Sequence, residues 1–104
     1  VTTADSVSSL PANLLGPVRE ALASCPAVRQ AILFGSRALG THRPNSDIDL
    51  CLDAPSLAFA DYLKLAATLD ELVAPYSLDL VLMHHIENPD FLAHIQRVGV
   101  TVYP

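Results

Sequence analysis

The stretch that most constrains this chain is residues 32–50, ILFGSRALGTHRPNSDIDL. It opens with an apolar run, turns at Gly35-Ser36, crosses a loop of polar and breaking residues, and ends in alternating Asp and aliphatic side chains. Ala31, Ile32, Leu33 and Phe34 show no polar alternation, as expected of a strand covered on both faces. Residues 47–53, DIDLCLD, alternate strictly. A period of two puts Asp47, Asp49 and Cys51 on one face of a strand and Ile48, Leu50 and Leu52 on the other. Two such strands can hold a polyphosphate at their turn and a divalent cation on their carboxylates.

The rest of the chain supplies elements to pack against them. Leu14, Val18 and Leu22 recur at helical spacing, with Leu15 beside them. Pro17 either kinks that helix or starts a second segment. Residues 36–39 fit a short helix and 40–46 a loop. Ser56 is the expected N-cap of a long helix reaching residue 73. Phe59, Leu63, Ala66, Ala67 and Asp70 keep a helical period along it, while Asp61 and Lys64 face water. A third strand spans residues 77–83, SLDLVLM, and carries Asp79. Asn88 or Pro89 starts a last helix with Phe91, Leu92, Ile95 and Val98 on one face and Gly99 as its C′ residue. Residues 100–103 read as a short final strand. This order predicts an α/β or α+β fold with helices packed on a sheet.

A chain of 104 residues is expected to form a single domain, residues 1–104, with residues 1–9 flexible. It has no Trp, so the core must be aliphatic. The net charge of −5 argues against direct nucleic-acid binding. No apolar run is long enough to cross a membrane, and the first residues do not resemble a signal peptide, so a cytoplasmic protein is expected. Cys25 and Cys51 are then better read as reduced thiols than as a disulfide.

Asp47 and Asp49, two residues apart on a strand, project their carboxylates side by side. Two such charges about 4 Å apart repel by about 4 kcal/mol at an effective dielectric near 20. A fold keeps that arrangement when a cation relieves it or one carboxyl is protonated. Mg²⁺ suits the pair, because it takes one or two carboxylates, waters and phosphate oxygens. Gly35 allows a phosphate to approach the backbone, and Ser36 opens a short helix whose free N–H groups attract anions. Asp79 sits between Leu78 and Leu80, a position where strands disfavour Asp. If its strand neighbours Asp47 and Asp49, three acids can hold two metal ions for in-line phosphoryl or nucleotidyl transfer. Arg43, His42, His84, His85 and His94 read as solvated charges or surface histidines, and Tyr62, Tyr76 and Tyr103 as packing residues.

Gly35-Ser36, ten residues, Asp47-x-Asp49 and a later strand Asp together resemble the DNA polymerase β-type nucleotidyltransferase superfamily. LFGSRALG followed by SDIDL, and the ending HIQRVGVTVYP, are most similar to its minimal nucleotidyltransferase (MNT) branch. The resemblance covers nearly the whole chain. It implies a minimal nucleotidyltransferase fold, a mixed sheet of about four strands flanked by helices. It further implies that Gly35 and Ser36 grip the β- and γ-phosphates of a nucleoside triphosphate, with Arg37 neutralising triphosphate charge. Asp47 and Asp49 would ligate two Mg²⁺ ions, and Asp79 would hold the catalytic one and help deprotonate the acceptor hydroxyl.

Members of that branch resemble antitoxins that pair with a HEPN-type RNase toxin. The function implied is transfer of AMP from ATP to a hydroxyl of that toxin, expected to be a tyrosine, within a homodimer or hetero-oligomer. The alternatives are a binding-only antitoxin or nucleotide-sensing module without catalysis, and transfer to a small-molecule hydroxyl.

Overall fold

The computed structural model describes residues 2–3, 10–40, 43 and 45–104. The readings of His42 and of residues 1 and 4–9 lie outside them. The elements in chain order are strand β1 (Thr2–Thr3), helix α1 (Ala12–Ala23), strand β2 (Gln30–Phe34), helix α2 (Ser36–Leu39) and strand β3 (Ile48–Asp53). Helix α3 (Phe59–Val73), strand β4 (Leu78–Leu82), a 3₁₀ turn (Met83–His85), helix α4 (Pro89–Val98) and strand β5 (Val100–Tyr103) follow.

The strands form one mixed five-stranded sheet in the order β1-β5-β2-β3-β4. The α+β class is as expected, and so are the four strands that the sequence marks. Thr2–Thr3 adds a fifth, parallel to β5, that no hydrophobic pattern announces. The centre of the sheet is antiparallel, with β2 between β3 and β5. The β3–β4 pair is parallel, which requires the long α3 crossover between them.

Each face of the sheet has its own cover. Ile48, Leu50 and Leu52 of β3 are fully buried with Leu33 and Val102, under Leu14, Val18 and Leu22 of α1 and Leu65, Leu69 and Val73 of α3. On the other face Ile32, Phe34 and Cys51 are buried against Ile95 of α4, with Val81, Met83, Ile86 and Phe91 around them. The expected alternation along β3 is therefore present. Cys51 shares that face with Asp49 and is buried, because α4 covers its end of the face. Burial pushes the Cys51 thiol up to about 11, so it stays protonated, and Cys25 is also free.

Several local expectations change. Pro17 lies inside a single continuous helix. It cannot give the N–H that would bond the Asn13 carbonyl, and it lies on a side of α1 where both residues are exposed to water. Helix α3 starts at Phe59 with Ala58 as N-cap, two residues later than an N-cap at Ser56 would place it. Its buried stripe is Leu65, Leu69 and Val73, not the Phe59–Leu63–Asp70 side, where Phe59 is 71% and Leu63 52% exposed. Two apolar stripes compete on this helix, and the one that meets both the sheet and α1 wins. No helix among the described residues is long and apolar enough to cross a membrane.

Helix α4 begins as expected, with the Asn88 side chain accepting from the N–H groups of Asp90 at 2.9 Å and Phe91 at 3.4 Å. It ends at Gly99, but with φ −64° and ψ 151°, an extended cap rather than a left-handed one. Glycine is needed there for space, because a Cβ would fall on Ile32 Cγ2 and the Ile95 carbonyl oxygen. Gly99→Ala is therefore expected to lower unfolding free energy by about 1–3 kcal/mol. Urea denaturation followed by far-UV circular dichroism checks it.

Candidate functional site

The antiparallel register pairs Phe34, the last residue of β2, with Asp49 of β3. The parallel register pairs Asp49 with Asp79 of β4. Paired residues of neighbouring strands project to the same face, so Asp49 and Asp79 stand side by side. Both lie on the α4 side of the sheet, beyond the end that α4 covers. Asp49 is half-buried, while Asp79 and Asp47 are exposed. Asp47 sits one residue before β3, at the mouth of the same strand.

The chain turns at Gly35 directly beside this row. Gly35 has φ 73° and ψ −156°, a combination open almost only to glycine. A Cβ there would fall on Oδ2 of Asp49. The glycine at the head of the turn therefore makes room for the central carboxylate, and the turn and the DxD strand form one site. Ser36 heads the short helix α2, which closes with a Gly35 carbonyl to Leu39 N–H bond of 3.1 Å and a left-handed Gly40.

Arg37 lies on α2 but is buried, with 2% of its surface exposed. Its Nε and Nη2 both donate to the Ser46 carbonyl oxygen, at 3.1 and 3.0 Å. The guanidinium carbon lies 5.0 Å from the centre of the Tyr76 ring. The sequence reading assigns Arg37 to triphosphate charge and Tyr76 to packing; the structure joins the two. No spacing rule could connect positions 37 and 76, since they meet only once β3 and β4 are paired. Arg43 is exposed in the same loop, its N–H donating to the Ser46 hydroxyl at 2.7 Å.

Asp49 is the strained member of the row. Its carboxyl is held above the usual carboxylate range, first by burial, then by the charge of Asp79, then by that of Asp47. That pressure is what a cation would relieve. The available donors are all hard carboxylate oxygens, the type that Mg²⁺ prefers, so Asp47, Asp49 and Asp79 fit the metal in kind. They do not form a ready-made cage. Among the described residues no three His, Cys, Asp or Glu side chains are grouped tightly enough to hold an ion on their own. A cation with few protein ligands, completed by waters and substrate phosphate, is consistent with both observations. His84, His85 and His94 belong to no such group among the described residues, although the rings of His84 and His85 meet at 4.4 Å.

A family model described as Polymerase beta, Nucleotidyltransferase matches residues 17–104. No curated protein is a significant sequence match. Among solved structures, a toxin–antitoxin crystallised with AMP-PNP matches with a TM-score of 0.67 and 24% identity, over 89% of this chain and 73% of that one. The toxin–antitoxin MntA-HepT matches with a TM-score of 0.66 and 20% identity, over 88% and 71%. A mutant toxin–antitoxin of that pair matches with a TM-score of 0.68 and 22% identity, over 85% and 70%. At these identities the likeness establishes the fold.

Two outcomes follow from the geometry. Asp49 has a folded pKa above its unfolded one, so its ionised form opposes folding. The penalty grows as pH rises from the ordinary carboxylate value through the raised one, and disappears below both. Asp49→Asn is expected to raise the melting temperature by a few degrees at pH 7 in metal-free buffer, with the gain vanishing in acid. Gly35→Ala is expected to cost about 1–3 kcal/mol through backbone strain alone, and to displace the Asp49 carboxylate. Calorimetry across pH and denaturant titration read these two effects.

Proposed function

We propose a function from one premise, that this chain belongs to the polymerase beta nucleotidyltransferase family. The chain transfers AMP from ATP to a hydroxyl of a partner protein, a HEPN-type RNase toxin, and the transfer silences that toxin. Tyrosine is the expected acceptor. The observation that carries the reading is the row Gly35, Asp49 and Asp79, in which the glycine turn packs directly on the central one of two paired carboxylates. The fold shared with toxin–antitoxin structures, one of them crystallised with AMP-PNP, supports the choice of nucleotide and of partner class.

Each residue then has a defined task. Gly35 and Ser36 hold the β- and γ-phosphates at the turn that leads into α2. Asp47, Asp49 and Asp79 are the residues that would hold two Mg²⁺ ions. When bound, those ions supply neutralising charge for the triphosphate and the leaving pyrophosphate. Asp79 orients the acceptor hydroxyl and takes its proton. The hydroxyl oxygen forms a bond to the α-phosphorus, the bond from that phosphorus to the bridging oxygen breaks, and pyrophosphate leaves. Asp49 enters the cycle already destabilised as an anion, so nucleotide and metal binding release strain stored in the fold.

A protein acceptor accords with the surface beside β4. Phe59 is 71% exposed, stacks on Tyr62 at 6.1 Å and lines a shallow groove with Leu80, Val81 and Leu82 of β4. The same surface favours a second reading, in which the chain neutralises its partner by contact alone and uses the nucleotide pocket for sensing or not at all. The carboxylates separate the two readings. With purified partner, Mg²⁺ and α-labelled ATP, the wild-type chain is expected to label the partner, and Asp47→Asn with Asp49→Asn to reduce labelling by at least about a hundredfold. Loss of neutralisation in that double variant supports catalysis. Full neutralisation without label transfer establishes the contact reading instead.

A further inference from the structure

Arg37 occupies a place that a phosphate-binding cation does not need. It is buried to 2% exposure, with two of its nitrogens on one carbonyl oxygen and its plane near an aromatic ring. A buried guanidinium is tolerated only when its donors are satisfied, and these partners contribute to that. The partners belong to different parts of the site. Arg37 itself follows Gly35-Ser36, Ser46 immediately precedes Asp47, and Tyr76 lies three residues before Asp79.

The surrounding bonds make the same junction. Ser46 is fixed from the other side by Arg43, whose carbonyl accepts the Ser46 N–H at 3.0 Å and whose N–H donates to the Ser46 hydroxyl at 2.7 Å. Just beyond Asp47, the Ile48 N–H donates to the Ser77 carbonyl at 2.8 Å, where the parallel ladder of β3 and β4 begins. Asp47 thus lies between two pinned residues, Ser46 and Ile48. It is the one carboxylate of the three outside a strand, and no strand register sets its height.

We propose that Arg37 is a positioning residue, which holds Ser46 against Tyr76 and so sets Asp47 level with Asp49 and Asp79. This role rests on the transferase reading of those carboxylates. It replaces direct contact of Arg37 with the triphosphate. Only arginine suits the place, because lysine cannot reach one oxygen through the fixed Nε–Nη2 fork while its charge sits over a ring.

The test compares Arg37→Lys and Tyr76→Leu with wild type in the full chain. Melting temperature, Mn²⁺ affinity by electron paramagnetic resonance, and kcat and KM for ATP are measured with purified partner. Both variants are expected to weaken Mn²⁺ binding and lower kcat by about 10–100-fold, with KM for ATP within about twofold. Tyr76→Phe, which keeps the ring, is expected to behave as wild type. A rise in KM for ATP with unchanged Mn²⁺ affinity overturns the proposal in favour of direct phosphate contact. A lowered melting temperature with wild-type kcat and Mn²⁺ affinity per folded molecule overturns it in favour of a purely structural role. If Arg37→Lys does not fold, Tyr76→Leu decides by the same measures. A wild-type chain that labels no partner refutes the transferase reading, and the Mn²⁺ titration still decides the role of Arg37.

Discussion

Like charges held together are the constraint on which this structure depends. Asp49 stands beside Asp79 across two parallel strands, with Asp47 at the entry to the same strand, and its carboxyl is raised by burial and by both neighbours. The fold tolerates this because the opposite face of β3 is so well buried. Ile48, Leu50 and Leu52 are fully enclosed, and each contributes about 1.5–3 kcal/mol by leaving water. Together, at about 4.5–9 kcal/mol, they outweigh the roughly 4 kcal/mol of repulsion that a close carboxylate pair costs near a protein surface. One strand therefore anchors the core with one face and carries a strained site on the other.

The parts around Asp49 make sense as responses to that arrangement. Gly35 accepts a backbone conformation that other residues avoid, because Oδ2 of Asp49 fills the place of its Cβ. Helix α4 covers Ile32, Phe34 and Cys51 with Ile95 and Phe91, the Phe34 and Phe91 rings meeting edge-on at 5.7 Å. It leaves the carboxylate end of the face uncovered. The α3 crossover brings β4 parallel to β3, and only that direction pairs Asp79 with Asp49 in the observed register. Arg37 then ties the loop before Asp47 to the segment before β4.

Much of this was legible in the sequence because it is local. The alternation DIDLCLD assigns the faces of β3, and the unbroken run before Gly35 marks a central strand. Asn88-Pro89 announces the start of α4 through its cap. Where the reading failed, the cause was tertiary. On α3, two apolar stripes satisfy the same period, and only the position of α1 selects Leu65, Leu69 and Val73. Gly99 was legible as a helix end but not as a close approach to Ile32, a contact between distant positions. The sequence shows Arg37 only beside its neighbours Gly35 and Ser36. Its partners, at positions 46 and 76, become visible only after the strands pair.

The most direct measurement locates a paramagnetic metal–nucleotide complex on the folded chain. Mn²⁺ with a non-hydrolysable ATP analogue is added to isotope-labelled protein, and the loss of backbone amide resonances is mapped. The account predicts selective broadening at Gly35, Ser36, Asp47, Asp49 and Asp79, strong with nucleotide and weak with Mn²⁺ alone. Broadening centred on His84 and His85, or none at the carboxylate row with nucleotide in excess, would contradict it.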